Sequence, residues 1–172
     1  MRHLVLGAVL SAGIGCSLIT VKQDPFPPLE IRADRPPPRP PRVVLTASSI
    51  TIGDKVQFAT GSSEILPVSF GLLDEVAGVL AENPQIEVLQ VEGHTDSTGT
   101  AALNRKLSQQ RAESVMRYLS SKGVAGGRMR AKGFGPDKPI ADNASDDGKE
   151  KNRRVEFNIL KQGPKKTVVR DE

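Results

Sequence analysis

The stretch IEVLQVEGHTDSTGTAALNRKLSQQRAESV, residues 86 to 115, joins a strand-like run to a helix-like run through a polar turn. Residues 86 to 92 form an apolar, β-branched segment suited to a strand. From 101 to 122 the pattern turns helical, with Gly123 in the position that closes a helix in a left-handed conformation. Leu107, Arg111 and Val115 are spaced by four and share one stripe, within roughly 80° of arc at ~100° per residue. Asn104 falls on the same stripe. A guanidinium on an inward-facing stripe requires a partner, because buried arginines are almost always paired. The nearest acid in sequence is Asp96, in the turn that feeds the helix. Gly93 and Gly99 let that turn bend sharply, and Ser97 and Thr98 add hydroxyls. Two readings stand side by side: Asp96 and Arg111 brace the turn as an ion pair, or the turn is a ligand site.

Working outward, VVLTASSITIGDKVQF suggests a hairpin or two short strands around a turn at Gly53 and Asp54. Leu73, Val76, Ala77 and Leu80 recur at i, i+3, i+4 and i+7, an amphipathic helix that Asn83-Pro84 stops. RMRAKGFG reads as a short strand. VEFNIL, 155 to 160, alternates as a half-buried strand does. Between these two lies GPDKPIADNASDDGKEKN, a long polar segment expected to be a solvated loop. The order predicts an α+β fold, a β-α-β-α-β-β sandwich with two main helices on one face of a mixed sheet.

The N-terminus has a different character. MRHLVLGAVLSAGIGC has a short basic start, an apolar run from Leu4 to Leu10 and small residues before Cys16. The run is far short of the ~20 residues that span a bilayer, so 1–15 read as a secretory signal peptide. Cys16 is the only cysteine, which excludes an intramolecular disulfide. Its place resembles the bacterial lipobox, whose cysteine becomes the lipid-modified N-terminus. Gly15 fits that pattern, while Gly13 departs from the usual Leu. Ser17, not Asp, follows the cysteine, which under the enteric sorting rule implies the outer membrane. Eight prolines in the nineteen residues from Asp24 to Arg42 suit a semi-rigid extended spacer of ~3.1 Å per residue. The organisation expected is therefore a signal at 1–15, a lipidated cysteine and linker at 16–44, a domain at 45–162 and a flexible tail at 163–172.

Three segments together carry a family resemblance: FATGSSEILP, then VEGHTDSTGTAALNRKLSQQRAESV, then GFGPDKPIADN with NRRVEF. Over about residues 45 to 160 the chain resembles the OmpA-like domain shared by outer-membrane protein A and the peptidoglycan-associated lipoprotein. The resemblance implies non-covalent binding of peptidoglycan through the diaminopimelate of its stem peptide. It assigns ligand contacts to Asp96, Thr98, Asn104 and Arg111. Its C-terminal motif gives Arg153 and Arg154, of which Arg153 is favoured because alternation groups it with Val155 and Phe157. The family often has Asn or Asp where this chain has Gly61, so only the backbone remains to serve there. The chemistry agrees with that assignment. Diaminopimelate offers a carboxylate that a planar arginine fork can grip, and an ammonium that Asp96 can take.

Partners implied are peptidoglycan, the outer membrane through a lipid anchor, and other envelope proteins, with the domain in the periplasm. A structural or interaction lipoprotein with weak or no wall binding is the alternative. A net charge of +4, 3% aromatics and no Trp argue against nucleic acid. No cofactor or metal is expected: His94 lacks metal-ligand spacing and reads as a hydrogen-bonding loop histidine. DNASDDG, 142 to 148, lacks the closing glutamate of a calcium loop. An enzyme is not expected, because Glu92 and Asp96 are joined by no nucleophile, base or metal set.

Overall fold

β3, Ile86–His94, is the longest strand of the sheet among the described residues. The computed structural model describes residues 41 to 164. The expected leader, Cys16, most of the linker and the tail beyond 164 lie outside the described residues. The chain enters with two short strands, β1 (Val43–Leu45) and β2 (Ser49–Ile52), then the helix α1 (Phe70–Glu82). After β3 come α2 (Ala101–Ser121), β4 (Met129–Gly135), α3 (Asp146–Asn152) and β5 (Val155–Gln162). The sheet order is β1-β2-β5-β3-β4. β3 and β4 run parallel, which requires a crossover, and α2 provides it. All other pairings are antiparallel.

One face of the sheet carries the core. Leu89 and Val91 of β3 with Val155 and Phe157 of β5 pack against Leu72, Leu73, Val76, Ala77 and Leu80 of α1. α2 adds Ala112, Val115 and Leu119. Each fully buried Val, Leu or Phe contributes about 1.5 to 3 kcal/mol. Two glycines set how closely α2 approaches. A Cβ on Gly93 would lie 2.2 Å from the Ser108 carbonyl oxygen, and one on Gly133 2.2 Å from the Gln109 nitrogen. The opposite face is polar, with Gln90, Glu92 and His94 beside Glu156 and Asn158.

The two main helices and the mixed sheet follow the expected α+β plan. The helix stop at Asn83 has a direct cause: its amide donates to the Val79 carbonyl at 2.8 Å, and Pro84 has no N–H to continue. Gly123, at φ +93°, closes α2.

Three expectations need correction. The hairpin turns at residues 46 to 48, not at Gly53 and Asp54. There Thr46 and Ser49 exchange side-chain and backbone hydrogen bonds, while Gly53 already pairs with Arg42 across the hairpin. β1 begins at Val43, inside the stretch assigned to the linker. The long polar segment is not all loop, because it contains α3, capped by Ser145, whose hydroxyl accepts from Gly148 N–H at 3.0 Å. Gly148 is held so tightly that a Cβ there would meet the Asp142 carbonyl oxygen at 1.8 Å.

Candidate functional site

The site is built where β3 ends and the chain turns into α2. Asp96 is buried, at 8% exposure. One of its carboxylate oxygens accepts the Thr98 N–H at 2.9 Å, the side-chain-to-backbone turn characteristic of aspartate. Gly99 at φ +88° completes the bend. Thr100 caps α2 by accepting from Leu103 N–H. Asn104, one turn into α2, donates to the carbonyls of Asp96 at 3.3 Å and Thr98 at 2.8 Å. Asn104 and Thr98 thus hold the loop in shape.

Asp96 does not pair with Arg111. Its second oxygen accepts from Arg153 at 2.6 Å. Burial alone would raise the Asp96 pKa, but the Arg153 and Thr98 hydrogen bonds outweigh it and hold the carboxyl below its ordinary value. Arg153 reaches Asp96 from the C-cap of α3, not from a strand position. Val155 and Phe157 point into the core, whereas Arg153 stays partly exposed and also pairs with Glu150. The end of α3, rather than alternation along β5, puts it there.

Arg111 is half-buried, on the flank of the buried line Ser108, Ala112, Val115 and Leu119. Its Nε donates to the Ser62 carbonyl at 2.9 Å. Its guanidinium lies over the Phe58 ring, 4.9 Å from the centroid. Among the described residues no carboxylate lies within salt-bridge distance of it. Burial, and then the like charge of Arg153, lower its pKa, while Asp96 opposes them only at longer range. A desolvated cation so poorly compensated is electrostatically incomplete.

Arg111 faces a cleft of about 490 Å³, lined also by Phe58, Gly61, Lys55, Glu150 and Arg153. Gly61 is exposed at φ +65°, with open space where a Cβ would project. That conformation suits Gly, Asn and Asp. Of the six expected ligand residues, Arg111, Arg153 and Gly61 line the cleft and Asp96 reaches it through Arg153. Thr98, in the loop, and Asn104, in the first turn of α2, do not line it.

Several important residues escaped sequence reasoning. Phe58 and the Ser62 carbonyl hold Arg111 from a segment 49 to 53 residues away, and no local signal links them. Asn152 is fully buried and bonds the 140–143 segment: its oxygen accepts from Ile140 and Ala141, and its amide donates to Ala141 and Asn143. Asn143 in turn receives the Ser97 N–H at 3.2 Å. Asn152 thereby supports the Asp96 loop indirectly.

His94 is not a hydrogen-bonding loop histidine. It ends β3 at 2% exposure, stacked on Phe134, and neither ring nitrogen has a hydrogen-bond partner. Burial first, then the nearby Arg154 charge, push its pKa down to about 4. Glu92, His94 and Glu156 present ligand atoms within 4.8 Å of one another, a grouping visible only after β3 and β5 pair. Lys138, at 3.2 Å, compensates Glu92, and Arg154, at 2.6 Å, compensates Glu156. The cluster is charge-balanced by the chain's own cations, and burial outweighs the pull of Glu156 and Glu92 on a His94 proton. Glu92 and Asp96 serve different cations, Lys138 and Arg153.

Comparison with known proteins gives a consistent picture. The model of the OmpA family matches residues 57–153. The chain is 44% identical over 110 residues to the probable lipoprotein YiaD of Escherichia coli strain K12, covering 64% of this chain and 50% of that protein. It is 37% identical over 126 residues to the peptidoglycan-binding protein ArfA of Mycobacterium tuberculosis strain ATCC 25618 / H37Rv, covering 70% of this chain and 38% of ArfA. The matches thus span half of the first relative and less of the second. The crystal structure of the peptidoglycan-associated lipoprotein from Burkholderia pseudomallei superposes with a TM-score of 0.56 at 33% identity, covering 62% of this chain and 90% of that one. Among the described residues no helix is long and apolar enough to cross a membrane.

Proposed function

The chain belongs to the OmpA family, and from that premise we propose that it binds peptidoglycan non-covalently through the diaminopimelate of the stem peptide. Arg111 grips the free carboxylate of that residue, and Asp96 receives its ammonium at the mouth of the loop. Arg153 fixes the Asp96 carboxylate and adds positive charge to the cleft. Thr98 and Asn104 act by shaping the loop, and Gly61 serves through its backbone at the rim. A lipid on Cys16 joins the domain to the outer membrane, and the proline-rich spacer lets it reach the wall from the periplasmic side.

The observation that carries this reading is Arg111. A half-buried guanidinium with one backbone hydrogen bond and no carboxylate partner among the described residues is arranged for an anion from outside. A carboxylate in the cleft would add charge-assisted, bidentate bonds, roughly twice as strong as neutral ones. The names of ArfA and of the Burkholderia lipoprotein support peptidoglycan as the source of that anion. The name of YiaD supports the anchor.

The test is calorimetric titration of the full chain with three stem peptides whose C-terminal carboxyl is blocked as the amide: one carrying diaminopimelate with its distal carboxylate and ammonium free, one with that distal carboxylate amidated, and a lysine analogue. Binding of the first with clear loss for the other two is expected. Equal affinity for all three rules the reading out. Mass spectrometry of the mature N-terminus tests the anchor, and an unmodified product cleaved elsewhere would remove it.

A further inference from the structure

The cleft holds more positive charge than one ligand carboxylate requires. Lys55, Arg111, Arg153 and Arg154 all line it, and among the described residues Glu150 is its one acidic lining residue. Arg154 is committed elsewhere, to Glu156 at 2.6 Å. Lys55 and Arg153 are both committed to Glu150. One carboxylate oxygen of Glu150 accepts from Lys55 Nζ at 2.9 Å, and the other accepts from Arg153. The Glu150 carboxylate therefore sits between two cations as a bound anion would. It differs from Asp96 in one respect that matters. Asp96 is enclosed and also receives a backbone N–H, whereas the Glu150, Lys55 and Arg153 side chains are 54%, 41% and 42% exposed. Exposed ion pairs of this kind stabilise by little, so an external carboxylate can replace Glu150 at small cost.

We infer that the cleft takes a ligand with two carboxylates, one at Arg111 and a second at the Lys55–Arg153 pair, where Glu150 stands in for it in the unliganded chain. Resting on the peptidoglycan reading above, this narrows the ligand to a stem peptide with a second free carboxylate near the diaminopimelate. It also makes Glu150 an internal competitor that sets the affinity. A volume of about 490 Å³ lies within the range of sites for ligands of this size, roughly 300 to 1,000 Å³.

The sign of one substitution decides the matter. A residue that contacted the ligand's ammonium would weaken binding when neutralised, while a competitor would strengthen it. The probes are the tripeptide of alanine, γ-linked glutamate and diaminopimelate with its C-terminal carboxyl blocked as the amide, so that only the glutamate α-carboxylate and the distal carboxylate of diaminopimelate are free, and the same tripeptide with the glutamate carboxylate also amidated. Calorimetry on the full chain should show Glu150→Gln binding the free form roughly three- to fivefold more tightly, the scale of releasing exposed ion pairs. Its affinity for the amidated form should be unchanged. Lys55→Gln should weaken the free form selectively, and Glu150→Ala should repeat the Glu150→Gln result if the amide introduces contacts of its own. Thermal melts of each variant guard against a loosened α3. A Glu150→Gln chain that binds the free form equally or more weakly overturns the inference, as does equal tightening of both forms. A wild-type chain that cannot tell diaminopimelate from lysine would instead bring down the underlying reading.

Discussion

Asn152 and Arg111 are both polar, both withdrawn from solvent and both beside the same loop, yet their surroundings are opposite. Asn152 has every donor and acceptor of its amide engaged within the chain. Arg111 engages one backbone carbonyl and an aromatic face, and leaves the rest of its guanidinium toward the cleft. Saturation marks a group that builds the fold. A charged group left short of partners marks a place where something else is meant to bind. The difference can be attacked from either side.

The largest effect is expected at the saturated end. Asn152→Leu leaves the Ile140 and Ala141 N–H groups and the Ala141 carbonyl without partners. At about 0.5 to 1.5 kcal/mol for each of these part-buried hydrogen bonds, the loss should reach roughly 2 to 4 kcal/mol in urea denaturation. A loss below 1 kcal/mol would show that water replaces the amide easily.

Next comes His94, which is neutral in the fold. Its pKa of about 4 lies below the ordinary value near 6.5. Below that ordinary value the unfolded chain takes up a proton that the folded chain refuses. Stability should therefore be complete above about pH 6.5 and fall as pH drops toward 4, by at most about 3 kcal/mol. Stability measured across this window should decline less steeply for His94→Gln. Parallel pH profiles would mean that His94 titrates normally.

At the unsaturated end, Arg111→Ala should leave stability within about 1 kcal/mol of wild type, because it removes one hydrogen bond and one cation–π contact. Co-sedimentation with purified sacculi should nevertheless weaken by about 10- to 150-fold, the equivalent of ~1.5 to 3 kcal/mol. Arg111→Lys should recover only part of this, since an ammonium lacks the planar fork. Normal sedimentation by a well-folded Arg111→Ala would reduce the residue to structural use.

The smallest effect is at Gly61. Asparagine tolerates the left-handed conformation and the space is open, so Gly61→Asn should shift the melting free energy by no more than about 0.5 kcal/mol. Gly61→Ala should cost about 1 kcal/mol. Reversed magnitudes would show that the loop relaxes out of its positive φ.

The elements with apolar periodicity were legible in the sequence: α1, α2, β3 and β5 each bury a row of side chains at the repeat of their backbone. α3 was not, because DDGKEKN contains no apolar residue and its inward positions are Gly148 and Asn152. The first hairpin misled because Thr46 and Ser49 make its turn with side-chain hydrogen bonds, while the glycine nearby belongs to the strand pairing. In the candidate site, the pairing of the polar residues was not legible. Nearness along the chain favours Asp96 with Arg111, but the folded partner, Arg153, is 57 residues away. Only the β3–β5 pairing and α3 bring it close.

The two glycines under α2 bear on the thermodynamics of recognition as well as on packing. With no side chain between Gly93 or Gly133 and the helix backbone, α2 is seated directly on β3 and β4 and has little freedom to roll or slide. Arg111 is carried by that helix and Asp96 by the turn leaving β3, so their separation is set when the domain folds. On the proposed peptidoglycan reading, a ligand would meet groups already in position, and little backbone entropy would be lost on association. Recognition here should behave as a rigid template, fast to engage and unforgiving of a ligand whose charges are spaced differently.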